Sequence, residues 1–182
     1  MVIAAPAADV DRADEVLAGV PGLSGVVVEG GPSRAESVAL ALERAAEGIV
    51  LVHDAARPLA PPKLFDAIVS RLQSDLELDA VIAAARVNDT IKSEDGDSGI
   101  IAATVPREGL WAAQTPQGFR AAALREAQEA ASAQGDLATA TDEARLIEAA
   151  GGRVGLEPAP AHNLKVTTAE DLRIASALLA GR

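Results

Sequence analysis

A chain of 182 residues with 16 Lys and Arg against 27 Asp and Glu has a formal charge of −11 at pH 7. That balance excludes the basic footprint expected of a nucleic-acid binder or of a protein held on anionic lipid. Cysteine is absent, which excludes disulfides, thiolate metal sites and cysteine nucleophiles. With 49% hydrophobic and 24% charged residues, the chain reads as a single globular domain, residues 1–182, working inside the cell. It has no apolar run long enough to span a bilayer and no visible secretory leader. Aromatic residues are few: Phe65, Phe119 and Trp111, with no Tyr. The core must therefore be built from Ala, Val, Leu and Ile, and stacking of bases on aromatic platforms is excluded.

In chain order, Val2–Ala5 reads as a strand, Val10–Leu17 as a helix and Gly25–Glu29 as a strand. A helix is predicted over Ser33–Ala46, opened by Ser33 with Glu36 three residues on, the spacing of a capping box. Ile49–His53 is continuously apolar up to its His, the pattern of a strand buried on both faces. Pro61–Leu72 is a helix with Pro near its start, and Ala80–Ala85 is a strand. Residues 86–110 are polar and Gly-bearing and break the alternation, as a surface loop or as an arm reaching a partner subunit would. A brief strand is predicted at Ala112–Gln114, followed by Thr115-Pro116-Gln117-Gly118. Helices follow over Arg120–Ala133 and Asp142–Ala150, the second closed by Gly151-Gly152. Arg153–Glu157 is a strand, and Thr168 with Asp171 caps a last helix to about Leu179.

Alternation of strand and helix predicts an α/β fold with a mostly parallel sheet covered on both faces. Ligands of such sheets lie beyond the C-terminal ends of the strands, so polar residues just after strands are the site candidates. Asp54 follows the apolar IVLVH run and is placed to hold Mg²⁺, a hard cation that accepts few protein ligands beside substrate phosphates, or to cap the next turn. His53 is expected to serve as a strand-end hydrogen-bond partner. Gly30-Gly31-Pro32-Ser33-Arg34 follows a strand and opens a helix, where free N–H groups favour anions, with Arg34 and Ser37 in reach. Arg34, Arg57, Lys92, Arg107 and Lys165 all stand near strand ends. In so acidic a chain, these cations would neutralise a polyphosphate if they converge.

The segments GGPSRAESV, VLVHDAARP, VNDTIK, PREGLWAAQTPQGF, ATDEA and HNLKVTTAEDL occur in this order. Together they resemble the 2-C-methyl-D-erythritol 4-phosphate cytidylyltransferase family. Its members join CTP to that sugar-alcohol phosphate with Mg²⁺ and release pyrophosphate, a step of the non-mevalonate route to isoprenoid precursors. The resemblance runs from Val2 to the C-terminus and implies a Rossmann-like nucleotidyltransferase sheet with a projecting β-arm. Carried over motif by motif, it makes Asp54 the Mg²⁺ ligand and Lys165 the stabiliser of charge at the reacting phosphates. Gly31 and Ser37 would seat the nucleotide, with Arg34 close by and Arg57 among the substrate-binding cations. Thr90 and Arg107 resemble residues that the arm at 86–110 lends to the neighbouring subunit's sugar-phosphate site, which implies a cytoplasmic homodimer. Thr115, Thr141 and Lys165 would line the rest of that pocket. Pro32 stands where a polar residue is more usual.

The family's chain also opens with a central strand and a Gly-rich loop of the type AAGxGxRM that wraps the CTP phosphates. This sequence begins at what would be the second strand. Unpaired edges are therefore expected on the two strands that would flank the first. Two further readings stay open on these residues: a cytidylyltransferase for another alditol phosphate such as ribitol 5-phosphate, or a silent dimerising remnant.

Overall fold

The computed structural model describes residues 1–181. Its strands form three sheets. β1 (Val2–Ala5) and β2 (Val26–Glu29) pair in parallel, Val2 opposite Val26 through Ala5 opposite Glu29. Helix α1 (Val10–Ala18) connects them, and α2 (Arg34–Leu42) leads on to β3 (Ile49–Val52). The Ser33 hydroxyl accepts from the Glu36 N–H at 3.2 Å and the Glu36 carboxylate accepts from the Ser33 N–H at 2.9 Å, the capping box expected from the sequence. The helix ends at Leu42, earlier than the pattern predicts.

The central sheet has the order β3, β7 (Trp111–Arg120), β4 (Ala80–Arg86), β8 (Val154–Pro158). β3, β4 and β8 point the same way, and β7 runs against them. The period-2 alternation of strands sends neighbouring residues to opposite faces. Ala80 and Phe119 join Leu42 of α2, Leu124 and Ala127 of α4 (Ala121–Gln134) and Leu146 and Ile147 of α5 (Glu143–Ala149). Val81 and Ala83 instead meet Leu64, Ile68 and Leu72 of α3 (Pro62–Ser74). Gly118 sits beneath α3 so closely that a Cβ there would lie 2.5 Å from Ile68 Cγ2.

β7 is longer than the sequence suggests. Thr115-Pro116-Gln117-Gly118 is expected to follow a brief strand but lies inside it. Pairing with β4 steps from Ile82–Gln117 to Ala84–Ala113. Pro116 falls in that irregular stretch, where its missing N–H removes no ladder bond.

β3 departs from expectation in another way. Its four apolar residues predict burial on both faces, yet Leu51 is 38% exposed. Among the described residues β3 pairs with β7 alone and β1 with β2 alone, so each keeps one edge without a strand. Across that break, α2 packs on both β1 and α4.

Residues 86–110 contain a hairpin of β5 (Ile91–Glu94) and β6 (Ile101–Val105), which pair with each other and, among the described residues, with no other strand. Ile100 and Ile101 at its far end are 66% and 61% exposed. At its root, Arg86 lies over the Trp111 ring, 4.4 Å from the centroid.

The last helix, α6 (Ala169–Ala180), opens with a second capping box, Thr168 with Asp171. Hydrogen bonds from Thr167 and Thr168 hold the exposed Asp171 carboxyl down at about 2. Because this value is depressed, the cap's contribution is present above the ordinary carboxylate range and is lost as pH falls through about 2. The expected result of an NMR carboxyl titration is an Asp171 midpoint near 2 that rises toward the normal range in Thr167→Ala, which removes the hydroxyl donating to Oδ2 at 2.8 Å. An ordinary midpoint in the wild-type chain would remove the cap.

Candidate active site

Three chain segments meet at the tips of the co-directional strands. The turn after β3 supplies His53, Asp54 and Arg57. β7 supplies Gln114 and Thr115, and the stretch after β8 supplies Asn163 and Lys165. Backbone and side-chain bonds lock them together. The Asp54 N–H donates to the Thr115 hydroxyl at 3.0 Å. The Val166 N–H donates to the Ala56 carbonyl at 2.7 Å. Arg57 Nη1 donates to the Asn163 carbonyl at 2.8 Å, and the buried Asn163 amide donates to Gln114 Oε1 and to the Thr115 carbonyl at 2.8 and 3.0 Å.

His53 is part of this scaffold. Its Nε2 lies 3.2 Å from the Arg57 carbonyl, which can only accept. Nε2 therefore carries the proton, and Nδ1 accepts from the Thr115 hydroxyl at 3.0 Å. Burial lowers the pKa of His53, and its ring stands edge-on to Phe65 with centroids 5.0 Å apart. The geometry agrees with a strand-end hydrogen-bonding role.

The charges at the centre form a chain. Asp54 Oδ1 accepts from Arg34 Nε at 3.1 Å, and Oδ2 lies 3.0 Å from Lys165 Nζ. Arg34 Nη1 donates in turn to Glu143 Oε2 at 2.6 Å. Burial would raise the Asp54 pKa, but Lys165 and Arg34 outweigh it and hold the carboxyl below its usual range. Burial likewise works against the Arg34 cation, and its two carboxylates more than offset that, so its pKa rises. Burial lowers Arg57. Glu143 is pushed up by burial, with Arg34 opposing.

Arg34 and Ser37 belong to the first turn of α2, and Gly31 lies in the loop just before it. The Gly31 N–H donates to Ser37 Oγ at 3.1 Å, and Ser37 Oγ donates to the Ser33 carbonyl at 2.8 Å. A Cβ on Gly31 would stand 2.6 Å from Glu36 Cβ, so only glycine lets the backbone pass this close to the helix.

Of the residues singled out from the sequence, Gly31, Arg34, Ser37, Asp54, Arg57, Thr115 and Lys165 thus gather at one edge. Thr90 and Arg107 are not among them. Both are exposed at the root of the hairpin, where Arg107 bonds the Asn88 carbonyl. Thr141 is exposed two residues before Glu143. Lys92 turns to Thr104 across the hairpin, 2.7 Å away. A cavity of about 260 Å³ between α4 and α5, lined by residues such as Ala127, Ala131 and Arg145, contains none of the residues singled out.

Glu143 was not singled out from the sequence. A carboxylate at a helix start normally faces solvent, and nothing in ATDEA marks this one as fully buried. Gln117 and Asn163, also buried, were missed for the same reason. Buried polar atoms without a partner concentrate here too: Arg57 Nε, Asn163 Oδ1, Glu143 Oε1 and Gln117 Oε1.

The sequence profile described as 2-C-methyl-D-erythritol 4-phosphate cytidylyltransferase (IspD) matches residues 1–181. The chain belongs to this family. It is 43% identical over 185 residues to the 2-C-methyl-D-erythritol 4-phosphate cytidylyltransferase of Saccharopolyspora erythraea, covering 99% of this chain and 79% of that protein. To the bifunctional enzyme IspD/IspF of Anaeromyxobacter dehalogenans it is 40% identical, covering 98% of this chain and 45% of that one. The chain thus spans less than half of the bifunctional relative. Among solved structures, the family member from Thermus thermophilus superposes with a TM-score of 0.77 at 38% identity, over 88% of this chain and 76% of that one. The enzyme from Anaerococcus prevotii gives 0.84 at 27% identity, over 98% and 80%. The α/β architecture with its mostly co-directional central sheet is that of this cytidylyltransferase family.

Proposed function

We propose that this protein transfers the cytidylyl group of CTP to 2-C-methyl-D-erythritol 4-phosphate. The observation that carries the reading is the Asp54 carboxylate at the strand tips, held between Arg34 and Lys165 at 3.1 and 3.0 Å, in a chain of this family. An oxygen of the alditol phosphate attacks the α-phosphorus of CTP. The bond from that phosphorus to the oxygen bridging the α- and β-phosphates breaks, and pyrophosphate leaves. The attacking phosphate is already an anion, so no base is needed. The protein's share is positioning and the stabilisation of developing negative charge. Lys165 has this second role, and Arg34, Gly31 and Ser37 stand where the nucleotide would be seated. Arg57 and Thr115 hold the strand tips in register, and Thr141 is assigned to the alditol phosphate.

The donor set suits Mg²⁺. Among the described residues no cluster of three or more His, Cys, Asp and Glu could hold a metal. Magnesium needs only one or two carboxylates when substrate phosphates complete its shell. Asp54 would hold it through Oδ2, whose present partner Lys165 has a side chain 43% exposed. When bound, the ion would neutralise charge on the phosphates.

Thr90 and Arg107 are exposed at the root of the hairpin, whose far end exposes Ile100 and Ile101. The reading therefore assigns these two residues to the alditol phosphate site of a second copy, in a homodimer formed through the 86–110 arm. Cytidine nucleotides and small sugar phosphates are cytoplasmic solutes, and the proposed place of action is the cytoplasm. Among the described residues no helix is long and apolar enough to cross a membrane.

The test is pyrophosphate release from CTP with 2-C-methyl-D-erythritol 4-phosphate or ribitol 5-phosphate. Release with the first substrate alone is expected. In the same assay, Arg107→Ala and Lys165→Ala proteins are each expected to be inactive. Mixed together, they should recover part of the activity, because a heterodimer contains one intact site. No recovery on mixing would remove the crossing arm from the reading.

A further inference from the structure

Glu143 is fully buried and has no part in the chemistry above. Carboxylates are almost never buried without a paired charge. Here the pairing is one-sided. Oε2 accepts from Arg34 Nη1 at 2.6 Å, while Oε1 is buried with no partner. A buried ion pair of this kind is weak as a stabilising device, since well-packed apolar side chains often do as well. What this one does well is geometric. Residues 109 positions apart in the chain are joined through a planar guanidinium, whose fork presents Nη1 to Glu143 and Nε to Asp54. Lysine, a flexible point charge, could not hold both in fixed directions.

We propose that Glu143 is a positioning residue that acts through Arg34 on Asp54. It fixes the guanidinium so that Oδ1 of Asp54 stays occupied and Oδ2 is left as the oxygen that changes partners. The two contacts of Asp54 are unequal in this respect. Arg34 is anchored at both ends, with a side chain 31% exposed, whereas Lys165 is 43% exposed and meets Asp54 as a single point charge. Oδ2 can therefore exchange Lys165 for an incoming cation without disturbing Arg34. The charged groups around the pair are Arg34 and Asp142 for Glu143, and Arg34, Lys165 and Arg57 for Asp54. The purpose of this arrangement rests on the function proposed above, but its existence does not.

Two readouts separate the two claims. The first is the NMR signature of the Arg34 guanidinium in the full chain without ligand. Wild type is expected to show a resolved Arg34 Nε–H resonance with slow guanidinium rotation. Glu143→Gln should speed that rotation by about tenfold or more, the loss of one charge-assisted hydrogen bond. Arg34→Lys provides a second cut through the same link should Glu143→Gln not fold. It keeps the positive charge and removes the fork. The second readout is affinity for CTP with Mg²⁺ in Glu143→Gln, Arg34→Lys and the corresponding double variant. The double variant is expected to bind no worse than Arg34→Lys alone, because Glu143 acts only through Arg34.

Unchanged Arg34 rotation in Glu143→Gln would overturn the proposal. So would full CTP affinity in Arg34→Lys, or losses that simply add. If wild type binds no CTP while the Arg34 signature changes as expected, the clamp stands and the proposed function falls.

Discussion

Asp54→Asn is expected to lower magnesium-dependent pyrophosphate release at least ~100-fold, the scale of losing one oriented group that stabilises charge in a transition state. The change keeps the size of the side chain and removes its charge. It leaves Arg34 and Lys165, now 3.1 and 3.0 Å from the carboxylate oxygens, facing a neutral amide. Its NH₂ can only repel a metal or a lysine, so one of the two contacts is lost outright. The acid limb of stability should change as well. The folded-state pKa of Asp54 is depressed, so its contribution is fully present above the ordinary carboxylate range and is lost as pH falls through the depressed value. Asp54→Asn should flatten that part of the acid-unfolding curve. The decisive measurement is pyrophosphate release across a magnesium titration. Wild-type turnover in the variant would remove Asp54 from the proposed metal position.

Phe119→Ala is expected to cost about 3–5 kcal/mol of folding stability, the range for deleting a fully buried aromatic ring. Phe119 has no solvent exposure, and it lies on β7 opposite both Val50 of β3 and Ala80 of β4. It is the largest side chain in the core that α2, α4 and α5 share with the sheet, and that core is otherwise built from Leu, Ile and Ala. No neighbouring aromatic can relax into the space. A domain stabilised by only about 5–15 kcal/mol would lose a large part of its margin. The measurement is the urea midpoint at constant m-value. A midpoint within experimental error of wild type would show that the ring is not a core element.

The parts of the molecule legible from the sequence are those set by local chemistry. Ser33 with Glu36 and Thr168 with Asp171 mark helix starts because the side chains themselves satisfy the first free amides. Position after a strand identified Asp54, Arg57 and Lys165, since a strand tip is where a carboxylate can be near ligand and still be fixed. The parts that were not legible depend on the partner across the sheet. Thr115-Pro116-Gln117-Gly118 carries turn residues, and pairing with β3 on one side and, irregularly, with β4 on the other makes a strand of it. Ile49–Val52 carries the pattern of a fully covered strand, and its half-exposure goes with β7 being its sole strand partner among the described residues. Glu143 is an ordinary helix-start acid until Arg34 comes to it from another part of the chain. The long-range ion pair, not the local motif, gives it a role.

The break between β1 and β3 has a consequence for the protein in solution. Among the described residues each of these strands keeps one edge with no strand partner, and Leu51 of β3 is 38% exposed. Such edges are templates for any extended polypeptide and favour aggregation by strand addition. The counterweight is the net charge of −11, which keeps copies apart by mutual repulsion and loses its reach as salt is added. Ionic strength thus sets the balance between dispersed and clumped protein, through two strands that contribute no side chain to the chemistry.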